Sequence, residues 1–289
     1  MNFIVTPSWA TLLEATPNPT VVTDANLRAA IMASGFAWRI KDTSSNIEML
    51  LVPAGTFMMG YSASFETQKL ALTLGSFGPD SNEIPTHQVT LTQPFYMGRY
   101  EVTQDQWTAK RQGNPSRWQG VGYPNAANRP VDQVSWNMIA GKGGFMSVTG
   151  LRLPTEAEWE YAYRAGTTTA FHSYPAQPNG FNNDRLLGNI AWYSSNSGRQ
   201  THTVGGKLAN GLGLHDMAGN VSEWCQDLYE PYSSASVINP TGPTTGKYRL
   251  LRGGSWDNIS YSCRASRRSY ASPDSACKYG SGFRVVRNP

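Results

Sequence analysis

The sequence predicts an α+β domain that is rich in loops, with short strands and two main helices. Three observations predict this class. The chain contains 28 glycines and 18 prolines, which interrupt long regular elements. Its apolar residues come in short runs broken by glycine, as in LLRGGSW (250–256) and GFRVV (282–286), which is typical of core strands. Charged residues make up only 15% of a 289-residue chain, so a substantial core can be buried.

Strand signals begin at residue 48. The stretch MLLVPAGTFMMG (49–60) reads as a strand, a turn and a second strand. HQVTLTQPFYMGRYEVT (87–103) gives two more strands around a proline, and QDQWTAK (104–110) begins a helix. Residues 167–250 contain many Gly, Asn, Pro and Ser and are predicted to be mostly irregular.

Helix signals are clearest where capping residues stand. Asp24 is expected to cap a short helix in ANLRAAIMASG (25–35), and Gly35 to end it. A longer helix is predicted over residues 135–148, although three glycines near its middle weaken it. In RLPTEAEWEYAYRAG (152–166), Thr155 and Glu158 have the spacing of a capping box.

The sequence pattern changes near residue 46, which predicts two units. Residues 1–45 are expected to form a small N-terminal appendage that serves attachment or oligomerisation, and residues 46–289 the main domain. The chain has no run of eighteen apolar residues and no secretory signal at its N-terminus. We therefore expect no membrane span and a location in the cytoplasm or in a phage virion.

The three cysteines, Cys225, Cys263 and Cys277, have no CxxC spacing and do not predict a disulfide framework. Net charge is +4, and nine basic residues against two acidic ones lie from Lys247 onward. This excess predicts a basic C-terminal face that favours acidic partners. Nucleic acid is not favoured, because the arginines share no helical face and no phosphate-binding loop accompanies them.

Between the two strand signals at the C-terminus lies a segment with no hydrophobic period, made of Ser, Tyr, Ala, Asp, Asn, Arg and Cys. Binding loops favour this mixture, because Tyr gives a large contact area at low entropic cost. An ordinary exposed loop would have the same composition, so both interpretations stay open at this point.

Seven motifs in fixed order resemble the formylglycine-generating-enzyme (sulfatase-modifying factor) domain, an elaborated relative of the C-type lectin fold. They are GTFMMG, EVTQDQW, PVDQVSW, RLPTEAEWEYAYRAG, GLHDMAGNVSEW, LRGGSW and GFRVV, and they extend over roughly residues 48–286. The resemblance implies a C-type-lectin-like fold of this enzyme type.

The resemblance also implies a test for catalysis. Active members hold copper with two cysteines after the GGS motif, and thiolates suit Cu(I). Here Cys263 matches the second position, whereas the first is Asn258, which has no thiolate. We therefore expect no oxidase activity. An iron-dependent branch is not expected either, because the four histidines, His87, His172, His202 and His215, match none of its patterns and are more typical of hydrogen-bonded loop residues.

Members of the family bind calcium through a turn that matches Asp216, Gly219, Val221 and Glu223. Carboxylates and backbone carbonyls are the ligands that calcium prefers. Structural calcium at this turn is an expectation from the resemblance, and the alternative is that the turn is held by hydrogen bonds alone. No other cofactor is expected.

The segment 257–281 further resembles the variable region of proteins diversified by retroelements, several of which use this scaffold. Randomised adenines in AAC or AAT codons cannot yield Glu, Gln, Trp, Met or Lys, and in this segment only Lys278 is incompatible with such an origin. Cys263, Arg264, Arg268, Pro273 and Asp274 resemble fixed residues that hold the loop. The expected ligand-binding residues are Asp257, Asn258, Ile259, Tyr261, Ser262, Ser266, Arg267, Ser269, Tyr270, Ala271, Ser272, Ser275, Ala276, Cys277 and Tyr279.

The resemblances together imply a non-enzymatic ligand-binding protein with a hypervariable surface, used for host attachment or receptor-type recognition. Tyr261, Tyr270 and Tyr279 are the expected affinity anchors, and the partner is a protein or a glycan. A copper-dependent oxidase of the family, or an inactive scaffold that assembles through residues 1–45, are the alternatives.

Overall fold

A computed structural model of the chain describes residues 4–61, 79–123, 125–276 and 280–289. Within these ranges the strands are β1 (Ala10–Glu14), β2 (Arg39–Asp42), β3 (Glu48–Val52), β4 (Gly55–Met59), β5 (His87–Leu91), β6 (Phe95–Gly98), β7 (Ala191–Trp192), β8 (Ala218–Gly219), β9 (Ser222–Leu228), β10 (Val237–Ile238), β11 (Arg249–Arg252), β12 (Ser269–Ala271), β13 (Ser281–Gly282) and β14 (Val286–Arg287). The helices are α1 (Ala25–Ala33), α2 (Gln104–Thr108), α3 (Trp136–Ala140), α4 (Phe145–Thr149) and α5 (Glu156–Arg164). The predicted α+β class with short strands is confirmed.

The largest sheet joins both ends of the described chain. Its strand order is β1-β2-β3-β6-β14, and every neighbouring pair is antiparallel. The predicted boundary at residue 45 falls between β2 and β3, which pair with each other. Strands β1 and β2 therefore belong to the same sheet as β3 and β6, while the predicted division at residue 45 and the expected role of residues 1–45 in attachment or oligomerisation stay predictions.

Helix α1 begins where its cap was predicted. The Asp24 carboxylate accepts a hydrogen bond from the Leu27 amide at 2.8 Å, and Ile31 on the inner face is fully buried. The helix ends at Ala33, shortly before Gly35, whose φ of +75° suits glycine. The helix therefore reaches the hydrophobic core through Ile31.

The single helix predicted over residues 135–148 is wrong. Ser135 does cap a helix, but α3 ends at Ala140 and α4 begins at Phe145. A Cβ at Gly141 would lie 2.5 Å from the Asn137 carbonyl oxygen, and Gly143 has a φ of +72°. The glycines that weakened the prediction therefore make a turn between two short helices.

Helix α5 lies in the centre of the domain and contacts β4, β9 and β11. The Thr155–Glu158 capping box is confirmed, because each side chain accepts a hydrogen bond from the other residue's backbone amide. Trp159 and Ala162 are fully buried on one face of the helix. Glu156 and Glu160 are buried as well, so this helix brings carboxylates into the core.

The described residues form three smaller sheets as well, two of which contact α5. Their strand orders are β10-β5-β4, β12-β11-β9-β13 and β7-β8. Strand β9 has seven residues and lies within the stretch predicted to be irregular, where its apolar residues alternate too weakly with polar ones to signal a strand. No helix in the described ranges is long and apolar enough to cross a membrane.

Candidate functional site: the segment 257–281

The segment 257–281 runs between β11 and β13 and contributes β12 to the edge of the four-stranded sheet. Tyr270 of β12 is opposite Leu250 of β11, and Ser269 and Ala271 flank this pair. A short 3₁₀ turn, Ser260–Cys263, precedes β12. The backbone on either side of the segment is thus fixed by core strands.

The side chains of the predicted binding residues fall into two groups. One group is exposed or partly exposed: Asp257, Asn258, Ile259, Ser262, Arg267, Ser269, Tyr270, Ala271, Ser272, Ser275 and Ala276. The other group is buried, with Tyr261 at 8% and Ser266 at 0% exposure. Cys277 and Tyr279 lie outside the described residues. The expectation that Tyr261 and Ser266 belong to an exposed surface is therefore wrong.

Ion pairs and hydrogen bonds explain why these two side chains point inward. The Tyr261 hydroxyl donates to an Asp80 carboxylate oxygen at 2.8 Å, and the Arg264 guanidinium lies 4.0 Å from the tyrosine ring centroid. The Ser266 hydroxyl donates to Glu83 at 2.7 Å. Both residues thus hold the segment to the stretch 79–83 instead of facing solvent.

The residues expected to hold the loop do so. Arg264 donates to both carboxylate oxygens of Glu83 at 2.7 and 2.8 Å, and all the charged atoms are buried. Arg268 donates in the same bidentate way to Glu156 of α5 at 2.7 and 2.9 Å. Asn137 of α3 donates its backbone amide to the Pro273 carbonyl and its side-chain amide to the Asp274 carboxylate. Three distant parts of the chain therefore clamp the segment.

The predicted basic C-terminal face is wrong for a related reason. Arg252, Arg264, Arg268 and Arg284 are all at most 2% exposed, and each is bound by a glutamate from another part of the chain. A charge count along the sequence cannot distinguish an arginine in solvent from one that neutralises a buried carboxylate. Four of the nine basic residues from Lys247 onward are therefore internal.

Three tyrosines form a surface cluster next to β12, here called the tyrosine patch. It consists of Tyr229, Tyr248 and Tyr270; the ring centroid of Tyr270 lies 4.3 Å from that of Tyr229 and 5.4 Å from that of Tyr248. Tyr248 and Tyr270 are 44% and 46% exposed. The sequence analysis missed Tyr229 and Tyr248, because only the pairing of β9, β11 and β12 brings them together.

Residues 37–289 match the sulfatase-modifying factor enzyme 1-like domain. The chain belongs to this family. The predicted resemblance and its C-type-lectin-like fold are thereby confirmed. Treponema denticola variable protein 1 is similar in structure to this member of the family, with a TM-score of 0.70 and 29% identity over 84% of this chain and 95% of that one.

Two curated relatives illustrate the family's range. The formylglycine-generating enzyme of Streptomyces coelicolor is 38% identical over 176 residues, 56% of this chain and 53% of that enzyme. The serine/threonine-protein kinase pkn1 of Chlamydia pneumoniae is 32% identical over 265 residues, 83% of this chain but 38% of the kinase. The chain thus spans about half or less of the length of these two relatives.

The family's copper position does not fit copper in this member. The Asn258 side-chain oxygen accepts hydrogen bonds from the Ser255 amide at 2.9 Å and the Ser255 hydroxyl at 3.1 Å, which fixes a neutral group there. Cys263 is fully buried, and burial raises the pKa of its thiol to about 12. Burial also raises the pKa of the Cys225 thiol. A two-thiolate site for Cu(I) is therefore not formed by these residues.

Both buried thiols are expected to be unreactive in the folded protein. In a Cys277→Ser variant, which leaves only Cys225 and Cys263, Ellman's reagent at pH 8 should detect essentially no thiol until denaturant is added, and then two per chain. The physical reason is the absence of both solvent access and thiolate. Rapid native-state labelling of Cys263 would contradict this expectation and reopen the question of an oxidase.

At the turn predicted to bind calcium, the Glu223 carboxylate is paired with the Arg284 side chain. Both oxygens of Glu223 accept hydrogen bonds from Arg284 at 2.7 Å, and one also accepts from the Trp159 indole. One Asp216 oxygen accepts from the Gly205 amide, and burial raises the pKa of this carboxyl to about 6. The other Asp216 oxygen is buried without a hydrogen-bond partner among the described residues, so structural calcium at this turn stays a prediction.

The other two residues of that turn act through their backbone. The Gly219 amide donates to the Gly253 carbonyl, and the Val221 amide to the buried Glu101 carboxylate at 3.0 Å. Among the described residues, no group of three or more His, Cys, Asp or Glu is arranged to hold a metal ion. Hydrogen bonds and the Glu223–Arg284 pair contribute to holding the turn, and both interpretations of it stay predictions.

The four histidines serve the loops. In each, one ring nitrogen lies within hydrogen-bond distance of a backbone carbonyl oxygen: Pro85 for His87, Ser173 for His172, Ser197 for His202 and Lys207 for His215, at 2.7–3.3 Å. The expectation of hydrogen-bonded residues holds for all four, and three of them lie in loops, whereas His87 is the first residue of β5. They are spread over the fold and do not converge on a common centre.

Proposed function

We propose that this protein is a non-enzymatic ligand-binding protein whose contact surface is the exposed part of the segment 257–281, diversified by a retroelement. The observation that carries the proposal is the division of this segment into exposed side chains and buried clamps. Residues with codon-compatible identities, such as Asp257, Ser269 and Tyr270, face solvent, while Arg264 and Arg268 are held by distant glutamates. Change at the first set therefore leaves the second intact.

The likeness to Treponema denticola variable protein 1 supports the proposal, because that similarity extends over most of both chains. The fold alone would not, since one scaffold carries many functions. Within the segment, Tyr270 is the natural anchor, because it is 46% exposed and lies against Tyr229 and Tyr248. Aromatic anchors of this kind dominate binding energies. The partner is a protein or a glycan, met in host attachment or receptor-type recognition.

Sequencing the DNA around the gene, in several isolates, tests the proposal. We expect a near-copy of the codons for 257–281 that differs only at adenines, next to a reverse-transcriptase gene. Differences among isolates should fall at exposed positions such as Ile259, Ser269, Tyr270 and Ser272, whereas Arg264 keeps its identity. Changes spread evenly over exposed and buried positions, or the lack of any copy, would contradict diversification.

The catalytic alternative rests on the identity with formylglycine-generating enzymes. Its decisive assay is incubation of copper-loaded protein with a cysteine-containing sulfatase-type peptide. Because Asn258 occupies the first copper position, we expect no aldehyde product. Formation of the aldehyde would overturn the non-enzymatic proposal.

A further inference from the structure

A small cavity lies beside α5, β9 and the loop that carries Tyr232, outside the exposed part of the segment 257–281. Its volume is about 160 Å³, close to the roughly 150 Å³ of an engineered cavity that admits a benzene ring. Residues from four strands and loops and from α5 line it, including Met59, His87, Glu156, Asp227, Tyr232 and Arg268. Its size suits one side chain of a partner rather than a stretch of backbone.

The charges in this cavity are unbalanced. Glu156 and Arg268 neutralise each other through their bidentate contact. Asp227 and Glu230 also line the cavity, and neither forms an ion pair within the described part of the chain. Asp227 is only 5% exposed, so its carboxyl group is shielded from water. The cavity therefore has an excess of acidic groups over basic ones.

A second observation concerns the Tyr232 hydroxyl, which is buried and has no hydrogen-bond partner among the residues that the structure describes. Buried hydroxyl groups are nearly always satisfied, and a vacancy of this kind calls for an explanation. The Tyr232 ring is fixed between the Arg268 guanidinium, 3.8 Å from its centroid, and the His87 ring at 4.6 Å. The hydroxyl is thus held at the cavity, where its oxygen can accept a hydrogen bond from a ligand.

We propose that this cavity binds an alkylammonium group, of the kind that a lysine side chain of a protein partner carries. An ammonium group has three donors, and Asp227 and Tyr232 offer oxygen acceptors for them. The alkyl chain would pack on Met59 and on the aromatic rings. The charge excess selects a cation, and the small volume selects a narrow one over a bulky base.

Proton linkage gives the proposal a distinctive signature. Burial, followed by repulsion from Glu156 and Glu158, raises the pKa of Asp227 to about 8, with Arg249, Arg268 and the Cys225 thiol as its other charged or titratable neighbours. An ammonium ligand supplies the counter-charge that the ionised carboxylate lacks. Binding should therefore release a proton below pH 8, and affinity should rise between pH 6 and pH 8.

The test uses Nα-acetyl-lysine N-methylamide and its uncharged analogue Nα-acetyl-norleucine N-methylamide, titrated into the full chain and followed by NMR. We expect saturable binding of the lysine derivative and none of the norleucine derivative. Asp227→Asn should weaken the lysine derivative by about tenfold or more, because a charge-assisted hydrogen bond is lost. Tyr232→Phe should weaken it several-fold. Asp105→Asn, which changes an exposed carboxylate of α2 outside the cavity, should have no effect.

Equal binding of both derivatives, or undiminished lysine binding by a folded Asp227→Asn variant, would overturn the proposal. So would the absence of saturable binding of the lysine derivative to the wild-type protein at pH 8. Near-UV circular dichroism establishes that each variant is folded. The result does not depend on whether the segment 257–281 varies, because Asp227 and Tyr232 lie outside it.

Discussion

Replacing Arg264 by alanine is expected to lower the free energy of unfolding by about 3–5 kcal/mol. The substitution leaves the Glu83 carboxylate buried at 0% exposure without the guanidinium that both its oxygens accept from. It also removes the cation that packs on the Tyr261 ring at 4.0 Å. Denaturant unfolding followed by circular dichroism measures the change.

Two companion variants make this result interpretable. Arg185→Ala, at an exposed position, should change the free energy of unfolding by less than about 0.5 kcal/mol. The double variant Glu83→Met/Arg264→Met should be more stable than Arg264→Ala, because replacing both partners by apolar groups leaves no uncompensated charge. A free energy for Arg264→Ala within the range of Arg185→Ala would show that the pair does not hold the segment.

Replacing Asp227 by asparagine is expected to flatten the pH dependence of stability between about pH 4 and pH 8. The pKa of Asp227 is raised from 3.8 to about 8 in the folded protein, so the folded state binds more protons than the unfolded state across this window. Stability from this group is therefore fully present below its unfolded pKa and is lost as pH rises towards 8. At about 1.4 kcal/mol per pKa unit, the loss amounts to several kcal/mol.

Urea unfolding of both proteins at a series of pH values measures this effect. Asparagine can still accept the Glu156 amide hydrogen bond that one Asp227 oxygen accepts at 2.9 Å, so the variant should fold. It should approach or exceed the wild-type stability at pH 8. Asp132 and Asp216, whose pKa values burial raises to about 6, leave a residual slope in both proteins. Parallel stability curves for wild type and variant would contradict the raised pKa.

The parts of the fold that could be predicted from the sequence depend mostly on residues close together along the chain. The capping box at Thr155 lies within four residues of its partner, and the glycines after Ala140 weaken a helix wherever they occur, so both are readable from the chain. The division of the segment 257–281 into exposed and buried side chains could not be predicted from such local signals. Tyr261 and Tyr270 are the same residue type nine positions apart, yet one is buried and the other 46% exposed.

The difference lies in partners that are far away along the chain. Glu83 is 181 residues from Arg264, and Glu156 is 112 residues from Arg268. A sequence motif can predict that an arginine holds the loop in place, but it does not identify the carboxylate with which the arginine pairs. For the same reason, the cavity at Asp227 and the tyrosine patch could be found only after β9, β11 and β12 were placed side by side.

The clamps on the segment also separate two kinds of information. The contacts that hold the fold of the segment are made by Glu83, Glu156 and Asn137, which lie well before the segment in the sequence. Their partners within the segment are few. Under the proposed function, the residues that contact the ligand are encoded between those residues. A gene arranged in this way can encode many different sequences for the contact surface, while the proportion of translated chains that fold stays nearly constant. Each new surface sequence is then presented by a chain that folds.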